Sequence, residues 1–422
     1  MVVDKVESRV LFISHIFPPD GGPGVQRSAK FVKYLPQMGW DPVVLTTDRS
    51  VERVRDSSLL AEIPPGTAIV RAHTMEPDDD WRGVVRYLIW GPLTPLSVPD
   101  LGNWWFPWAI PAALREIRRR PVAAIYATGS PYSSHVLGAI LKACTGLPLV
   151  LDFRDEWTID PLYWVQRRGY WKLFKPVESR MQRWAVRKAD RVILVTDSAY
   201  QAFVRAYGDL DKFVVIRNGF DEPDFEHAAA PDLPENRFHV VYSGSTAELN
   251  SRPAGFLQAA REAIDRAASL RDNLQIHFVG EFDRESREWV SRLQLETYVD
   301  IVGPVSHRKS VGYLTSADVL LLISRLIPTR VAGKAYEYLG AQKPVLALTP
   351  PGAEVVRLFD QAGVGYWVDP EDITGIANTL IGLAERWRSG GLHVPSNSAA
   401  LRQFTRRYLT ARLAEVLDTV TK

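Results

Sequence analysis

Short apolar runs alternate with helical stretches twice along this chain, and no other feature limits its fold as strongly. In the first half Val10–Ser14, Pro42–Thr46, Ala123–Tyr126, Pro148–Asp152, Arg191–Val195 and Phe213–Ile216 read as buried strands. Helical stretches lie over Gln26–Met38, Ser134–Thr145 and Ser198–Tyr207. Gly39 closes the first of them, where a left-handed terminus favours glycine. Residues 221–237 are acidic and Pro-rich with no sustained period, which marks a linker. Alternation then restarts, with strands at His239–Tyr242, Gln275–Val279, Val299–Val302, Val319–Ile323 and Pro344–Leu348. Strands alternating with helices imply a parallel sheet covered by helices. The chain is therefore expected to form two Rossmann-like α/β domains over 1–218 and 237–402. A linker would span 219–236, and a helix over about 403–422 would pack back on the first domain. Ligands of such sheets bind at the carboxyl ends of the strands. Two sheets facing each other across a cleft would hold a small molecule there.

Composition narrows the class of ligand. With 24% charged residues and a formal net charge of +2, the chain lacks the strongly basic surface of a dedicated nucleic-acid binder. Its single cysteine, Cys144, excludes internal disulfides and Cys-rich metal sites, and its apolar helical setting reads as a buried, inert thiol. Asp4, Lys5, Glu7 and Arg9 before a short apolar strand do not form a signal peptide, so a cytoplasmic location is expected. From Tyr87 to Leu114 the only formal charge is Asp100, yet five prolines, from Pro92 to Pro111, break any membrane-spanning helix.

Two groups of residues in the second half and one in the first can carry chemistry. Lys334 and Glu337 lie three apart in the first turn of a helix that follows strand Val319–Ile323 and an irregular loop. Free backbone N–H groups and the helix dipole favour an anion there. A lysine at that place suits a diphosphate, and a carboxylate one turn on suits a ribose diol; a solvated Lys–Glu pair is the plainer alternative. Strand His239–Tyr242 leads through Ser243-Gly-Ser to Arg252, just before a helix from about Pro253 that Ser251 would cap. Arg252 and Lys334 could clamp a diphosphate and stabilise it as a leaving group. In the first half the strand ending at Ser14 runs into His15 and a loop holding Gly21, Gly22 and Gly24, where the backbone can approach a ligand closely. That loop is too long and Pro-rich for a dinucleotide fingerprint, and a plain Gly-rich turn is the alternative.

These motifs resemble, in order and over nearly the whole length, those of the family 4 glycosyltransferases of GT-B fold. The matching residues are Phe17-Pro-Pro-Asp-Gly-Gly, Val98-Pro-Asp100, Ser130-Pro-Tyr-Ser-Ser-His135, Asp152-Phe-Arg-Asp-Glu-Trp157 and Asn218-Gly-Phe-Asp221. In the second half they are Ser243-Gly-Ser, Lys334-Ala-Tyr-Glu-Tyr-Leu and Lys343-Pro-Val-Leu. The resemblance implies a nucleotide-sugar donor on the C-terminal domain, an acceptor on the N-terminal one, retained anomeric configuration and no metal ion. By position Arg252 and Lys334 would hold the diphosphate, with Gly21, Gly22 and Gly244 close to the donor. Glu337 would hold the ribose, and the backbone at Gly303 and Val305 would read the base. Much of the family has a second glutamate eight positions before the ribose glutamate; here that position is Thr329. The donor sugar is therefore left unassigned. A nucleotide-sugar epimerase on the same fold and a non-catalytic nucleotide-sugar-binding scaffold are the rival readings.

On the first domain, Asp155 is a candidate to orient or deprotonate an acceptor hydroxyl and Arg154 to meet a phosphate, with Trp157 beside them. An ion pair of Arg154 with Asp152 or Asp155 that locks the loop is the alternative. His135 and His15 are candidate acid/base groups or simply structural histidines. Ten of the thirteen tryptophans precede residue 185, and residues 164–191 set Trp164, Trp171 and Trp184 among nine Lys/Arg and two acidic residues. With Trp104, Trp105 and Trp108, that pattern suits an anionic membrane surface near a glycan or lipid-linked acceptor, or else a solvated helix with its rings packed inward.

Overall fold

The computed structural model describes residues 8–49, 56–76, 97–160, 163–164, 173–208, 211–392 and 398–422. The chain forms two compact units, one of Met1–Asn218 with Arg406–Lys422, the other of Gly219–Thr405.

Unit 1 carries a seven-stranded sheet of β1 (Ser8–Ser14), β2 (Trp40–Thr47), β3 (Ala68–Ala72), β4 (Ala124–Gly129), β5 (Leu149–Phe153), β6 (Arg191–Leu194) and β7 (Phe213–Val215). The order is β3-β2-β1-β4-β5-β6-β7, and every pair is parallel. Alternate residues separate onto the two faces. Leu11, Ile13, Val43, Leu45, Ile125 and Leu151 enter one core, while Val10, Phe12, Val44, Tyr126, Val150 and Ile193 enter the other. A strand apolar on both sides must be covered on both sides, which a parallel sheet with crossover helices achieves. The last helix, Arg406–Thr421, supplies Leu409, Leu413 and Leu417 to the second of these cores. Burial of each such leucine contributes roughly 1.5–3 kcal/mol. The Trp40 indole N–H fastens this helix by donating to Asp418 at 2.9 Å.

Unit 2 repeats the plan with β8 (Phe238–Ser243), β9 (Leu274–Val279), β10 (Val299–Gly303), β11 (Val319–Ile323), β12 (Val345–Leu348) and β13 (Gly365–Val368), in the parallel order β10-β9-β8-β11-β12-β13. In both sheets the strand order reverses beside the first strand, between β1 and β4 and between β8 and β11. Those reversals open a crevice at the strand carboxyl ends, the usual ligand position in open α/β sheets.

Several local expectations need correction. The stretch 221–237 contains a short helix, Glu222–Glu226, so it is not wholly irregular. Helix Ala254–Arg266 starts after Pro253 with no side-chain cap, and Ser251 lies in a preceding 3-10 turn. Cys144 is exposed near the end of helix Ser133–Thr145 rather than buried. Strands β3 and β13 were not expected; both are edge strands with half-exposed faces and lack the apolar run that marks the central ones. Of the Pro-rich segment, residues 87–96 lie outside the described residues. The described part forms a 3-10 turn, Leu101–Trp105, and a helix, Phe106–Arg119. Among the described residues no helix is long and apolar enough to cross a membrane.

Candidate functional site

At the reversal point of unit 2, β8 ends at Ser243 and the chain turns at Gly244, whose φ of +125° favours glycine. A side chain here would put its Cβ 2.8 Å from the Lys334 ammonium. The lysine therefore lies directly against the backbone of the turn. It reaches that place from helix Gly333–Ala341, which Tyr338 pins down: its hydroxyl donates to the Leu321 carbonyl at 3.1 Å and accepts from the Ser243 N–H at 3.0 Å. The half-buried Lys334 donates to the Tyr242 hydroxyl at 2.7 Å and lies 4.0 Å from the centre of its ring. Desolvation is the main cause that lowers its pKa to about 8, with Glu248 and Glu337 partly opposing. A cation held so is ready to gain an anion, because the anion restores the solvation that burial removed.

Two neighbouring turns continue this edge. Gly280, after β9, donates its N–H to Gly303 of β10 at 2.9 Å, and Gly244 donates to Val279 at 2.8 Å. A Cβ on Gly280 would stand 2.4 Å from the Gly244 carbonyl oxygen, so only glycine allows the two turns to touch. Gly303 is half-exposed and Val305 half-buried beyond it. Arg252 follows the 3-10 turn Leu249–Ser251. The Tyr242 phenol that Lys334 touches donates to the Ser245 carbonyl at 2.9 Å, and the charge of Glu248, just before that 3-10 turn, reaches the lysine. Arg252 pairs with Glu285 at 2.8 Å, and its Nε is buried with no hydrogen-bond partner among the described residues. Glu337 is half-buried and accepts from His307 Nε2 at 3.1 Å. Lys334, Arg252, Gly244 and Glu337 thus belong to one corner of unit 2. The sequence did not point to Tyr242 or His307 as members of it. Tyr242 lies 92 residues from its lysine, and a tyrosine inside an apolar strand signals only core.

Unit 1 is built differently at its reversal point. Asp152, at the end of β5, is fully buried and receives a fork from Arg27, Nε to Oδ2 at 2.8 Å and Nη2 to Oδ1 at 2.9 Å. Tyr126 donates to the same carboxylate at 2.6 Å and Thr128 at 3.1 Å. Although burial pushes the Asp152 pKa upward, the Arg27 charge and these bonds outweigh it and the net shift is down. Of the two carboxylates offered to Arg154 as an ion-pair alternative, Asp152 forks instead with Arg27, 125 residues away, though its charge still acts on Arg154. The half-buried Arg154 donates to the Ser130 carbonyl and covers Gly24, where a Cβ would fall 2.0 Å from its Nη1. A side chain at Gly24 would displace the Arg154 guanidinium from this place. Gly21 is buried, and Gly22 caps helix Pro23–Tyr34 with open space around its Cα. Asp155 is half-buried and lends its charge to Arg154.

Two expected roles do not fit. His135 is fully buried, donates from Nε2 to the Asp152 carbonyl at 3.1 Å and leaves Nδ1 unpartnered among the described residues. Burial lowers its pKa to about 4, so it is a neutral packing group and not a catalytic acid or base that meets an acceptor. Trp157 is also fully buried, stacked 4.7 Å from Tyr132 with its indole N–H on Glu178 at 3.2 Å, and presents no surface to an acceptor. The Val98-Pro-Asp100 motif has a structural purpose: Asp100 accepts from the N–H groups of Gly102, Tyr132 and Ser133 at 2.6–3.1 Å and so caps helix Ser133–Thr145. His15 meets Glu76 at 2.7 Å. Burial pushes its pKa down, but the charges of Glu76, Asp100 and Asp20 prevail and the net shift is upward.

Two tandem units of this parallel, doubly wound topology define the GT-B class. The model of Glycosyltransferase Family 4 matches residues 24–222, and that of Glycosyl transferases group 1 matches residues 237–386. A Pseudomonas aeruginosa protein named "Probable glycosyltransferase WbjE" is 34% identical over 74 residues, 17% of this chain and 18% of that protein. That match spans less than a fifth of the relative's length. The crystal structure of Anabaena Alr3699/HepE in complex with UDP covers 98% of this chain and 100% of its own, at 16% identity and a TM-score of 0.64. The structure of WaaG, a glycosyltransferase involved in lipopolysaccharide biosynthesis, covers 98% of both chains at 14% identity and a TM-score of 0.58. The chain belongs to the family 4 glycosyltransferases.

Proposed function

We propose that this enzyme moves a sugar from a nucleotide-sugar donor to a glycan or lipid-linked acceptor of a surface polysaccharide or glycolipid, with retention at the anomeric carbon. The half-buried Lys334 against Gly244 and Tyr242 carries the reading. In the reaction the bond from C1 to the donor phosphate oxygen breaks and a bond from C1 to the acceptor oxygen forms on the same face. The nucleoside diphosphate leaves with the bonding electrons and takes the acceptor proton. Lys334 and Arg252 stabilise the charge that grows on it, which is worth most in a desolvated site. Glu337 takes the ribose hydroxyls, and the turn at Gly303 to Val305 meets the base. The UDP in the Anabaena Alr3699/HepE structure supports a nucleotide-sugar donor. Arg154 and Asp155 serve the acceptor. Side chains carry the charge in this reading and no metal ion takes part, so EDTA leaves the rate unchanged.

The exposed face of helix Lys175–Lys188 supports an acceptor presented at an anionic membrane. Val177 and Trp184 lie on it seven residues apart, beside Arg180, Arg183, Arg187 and Lys188, with Leu173 just before the helix. Trp164 and Trp105, in contrast, are buried. Release of nucleoside diphosphate from UDP-, GDP- and dTDP-sugars, compared for wild type, Lys334→Ala and Glu337→Ala, tests the donor reading. A wild type that binds a nucleotide yet never releases the diphosphate with any acceptor would be a scaffold. Flotation with phosphatidylglycerol vesicles at low salt tests the membrane contact; protein left at the bottom of the gradient refutes it.

A further inference from the structure

We propose that His307 positions the Glu337 carboxylate for a ribose diol, and so sets a preference of this site for ribonucleotides over deoxyribonucleotides. This rests on the assignment of Glu337 to the ribose given above. His307 Nε2 lies 3.1 Å from Glu337 Oε1, and the two side chains are 23% and 20% exposed, so the pair is within reach of a ligand. A carboxylate only accepts hydrogen bonds, so Nε2 carries the proton and donates it. That bond occupies one acceptor position on Oε1. Glu337 Oε2 accepts from no group among the described residues, which leaves it for a hydroxyl.

The histidine can aim the glutamate because the helices that carry them are joined at the end of β8. Helix Gly333–Ala341 bears Glu337 and, next to it, Tyr338, whose hydroxyl accepts from the Ser243 N–H at 3.0 Å. Helix His307–Ser316 bears Ser310, whose hydroxyl lies 2.9 Å from that of Ser243. The same helix buries Val311 and Leu314 completely. It also runs so close to Ala229 that a Cβ on Gly312 would fall 2.0 Å from that carbonyl oxygen. Ser243 thus ties both helices to the strand end, and His307 meets Glu337 from a fixed scaffold. An unheld glutamate is long and flexible, and ordering such a side chain on binding costs roughly 2- to 10-fold in affinity. With His307 in place that ordering precedes the ligand. A ribose offers the aimed carboxylate two hydroxyls and a 2′-deoxyribose only one, so the ratio of their affinities reports the aim.

UDP with 2′-deoxy-UDP, and GDP with 2′-deoxy-GDP, differ only in that hydroxyl, and calorimetry gives the affinity for each. The wild type should prefer the ribonucleotide of the pair it binds by about 5- to 10-fold, as expected for one hydrogen bond to a charged group. His307→Leu should bring that ratio to within about twofold and weaken ribonucleotide binding by about 2- to 10-fold. His307→Gln, whose amide nitrogen can stand where Nε2 stands, should restore most of the ratio. Retained affinity for the deoxyribonucleotide shows that the variants are folded. Added to Glu337→Ala, His307→Leu should change nothing further, because the histidine acts only through that carboxylate. A His307→Leu protein that keeps the wild-type ratio or binds the ribonucleotide more tightly overturns the proposal. So does a further loss in the double variant, which would mean that His307 meets the nucleotide itself. A wild type that binds neither pair or shows a ratio near one, or Glu337→Ala with the wild-type ratio, refutes the ribose assignment and this proposal with it.

Discussion

Both units gather charged side chains at the carboxyl ends of their strands, but the Asp152–Arg27 network of unit 1 is closed and the cations of unit 2 are not. In unit 1 the Asp152 carboxylate receives two bonds from Arg27 and one each from Tyr126 and Thr128, and Arg27 also donates to the Ile216 and Arg217 carbonyls. The Asp152 carboxylate has no bond left over for a ligand. In unit 2 Arg252 and Arg325 each keep an unpartnered Nε among the described residues, and their carboxylate partners stand largely in solvent. A closed network rigidifies a scaffold, whereas incompletely matched cations gain by taking an external anion.

Removal of the unit 1 network tests the contrast most severely. Asp152→Ala leaves the buried Arg27 charge without its partner and should cost about 3–5 kcal/mol in chemical unfolding. The pH dependence has a defined sign. The folded pKa of Asp152 lies below its unfolded value, so its contribution is present above about pH 4 and is lost as pH falls through the folded value. An Asp152→Ala variant as stable as wild type would show that the network is not a scaffold.

His135 separates structure from catalysis within the same unit. Its folded pKa of about 4 lies below an unfolded value near 6.5, so between these the unfolded chain binds more protons. Stability should therefore fall by up to about 3 kcal/mol as pH drops from 6.5 to 4. His135→Phe should remove that slope, and at pH 7.5 its activity should track the folded fraction alone. A loss of kcat in fully folded His135→Phe would restore it to the chemistry.

In unit 2 the matching change acts on binding rather than stability. Lys334→Ala should weaken nucleoside diphosphate binding by about 10- to 100-fold, as expected for a charged contact. Because the free lysine titrates at about 8, wild-type affinity should fall as pH rises from 7.5 to 9.5, with proton uptake on binding near pH 8.5. Calorimetry in buffers of different ionisation enthalpy measures that uptake. A flat profile would show that the ammonium does not meet the diphosphate.

The contrast also explains which parts of the molecule were legible in the sequence. Strands such as Val319–Ile323 are apolar on every residue because both faces are covered, and they stand out unaided. Gly365–Val368 is half-exposed and its tryptophan faces solvent, so it did not. Lys334 and Glu337 were visible as a pair because they share one helix turn. The partners that give them meaning, Tyr242 and His307, come from other elements, 92 and 30 residues away. Trp157 and His135 sit inside functional-looking motifs, yet their spacing carried no sign of full burial. Distance in sequence hid the contacts, and burial misdirected the roles.

The smallest predicted effect joins the two halves of the unit 2 corner. Glu337→Gln keeps the shape of the side chain and its contact with His307, and removes the charge. Loss of the charged acceptor for the ribose hydroxyls should weaken nucleoside diphosphate binding by about 5- to 10-fold, close to 1 kcal/mol. The same change should act on the lysine. Glu337 raises the Lys334 pKa against the larger effect of desolvation, so without that charge the lysine should titrate below its present value of about 8. The pH at which affinity begins to fall should then move down in Glu337→Gln. A weaker but unshifted profile would mean that Glu337 touches the nucleotide without sensing the lysine, and would divide the corner into two independent contacts.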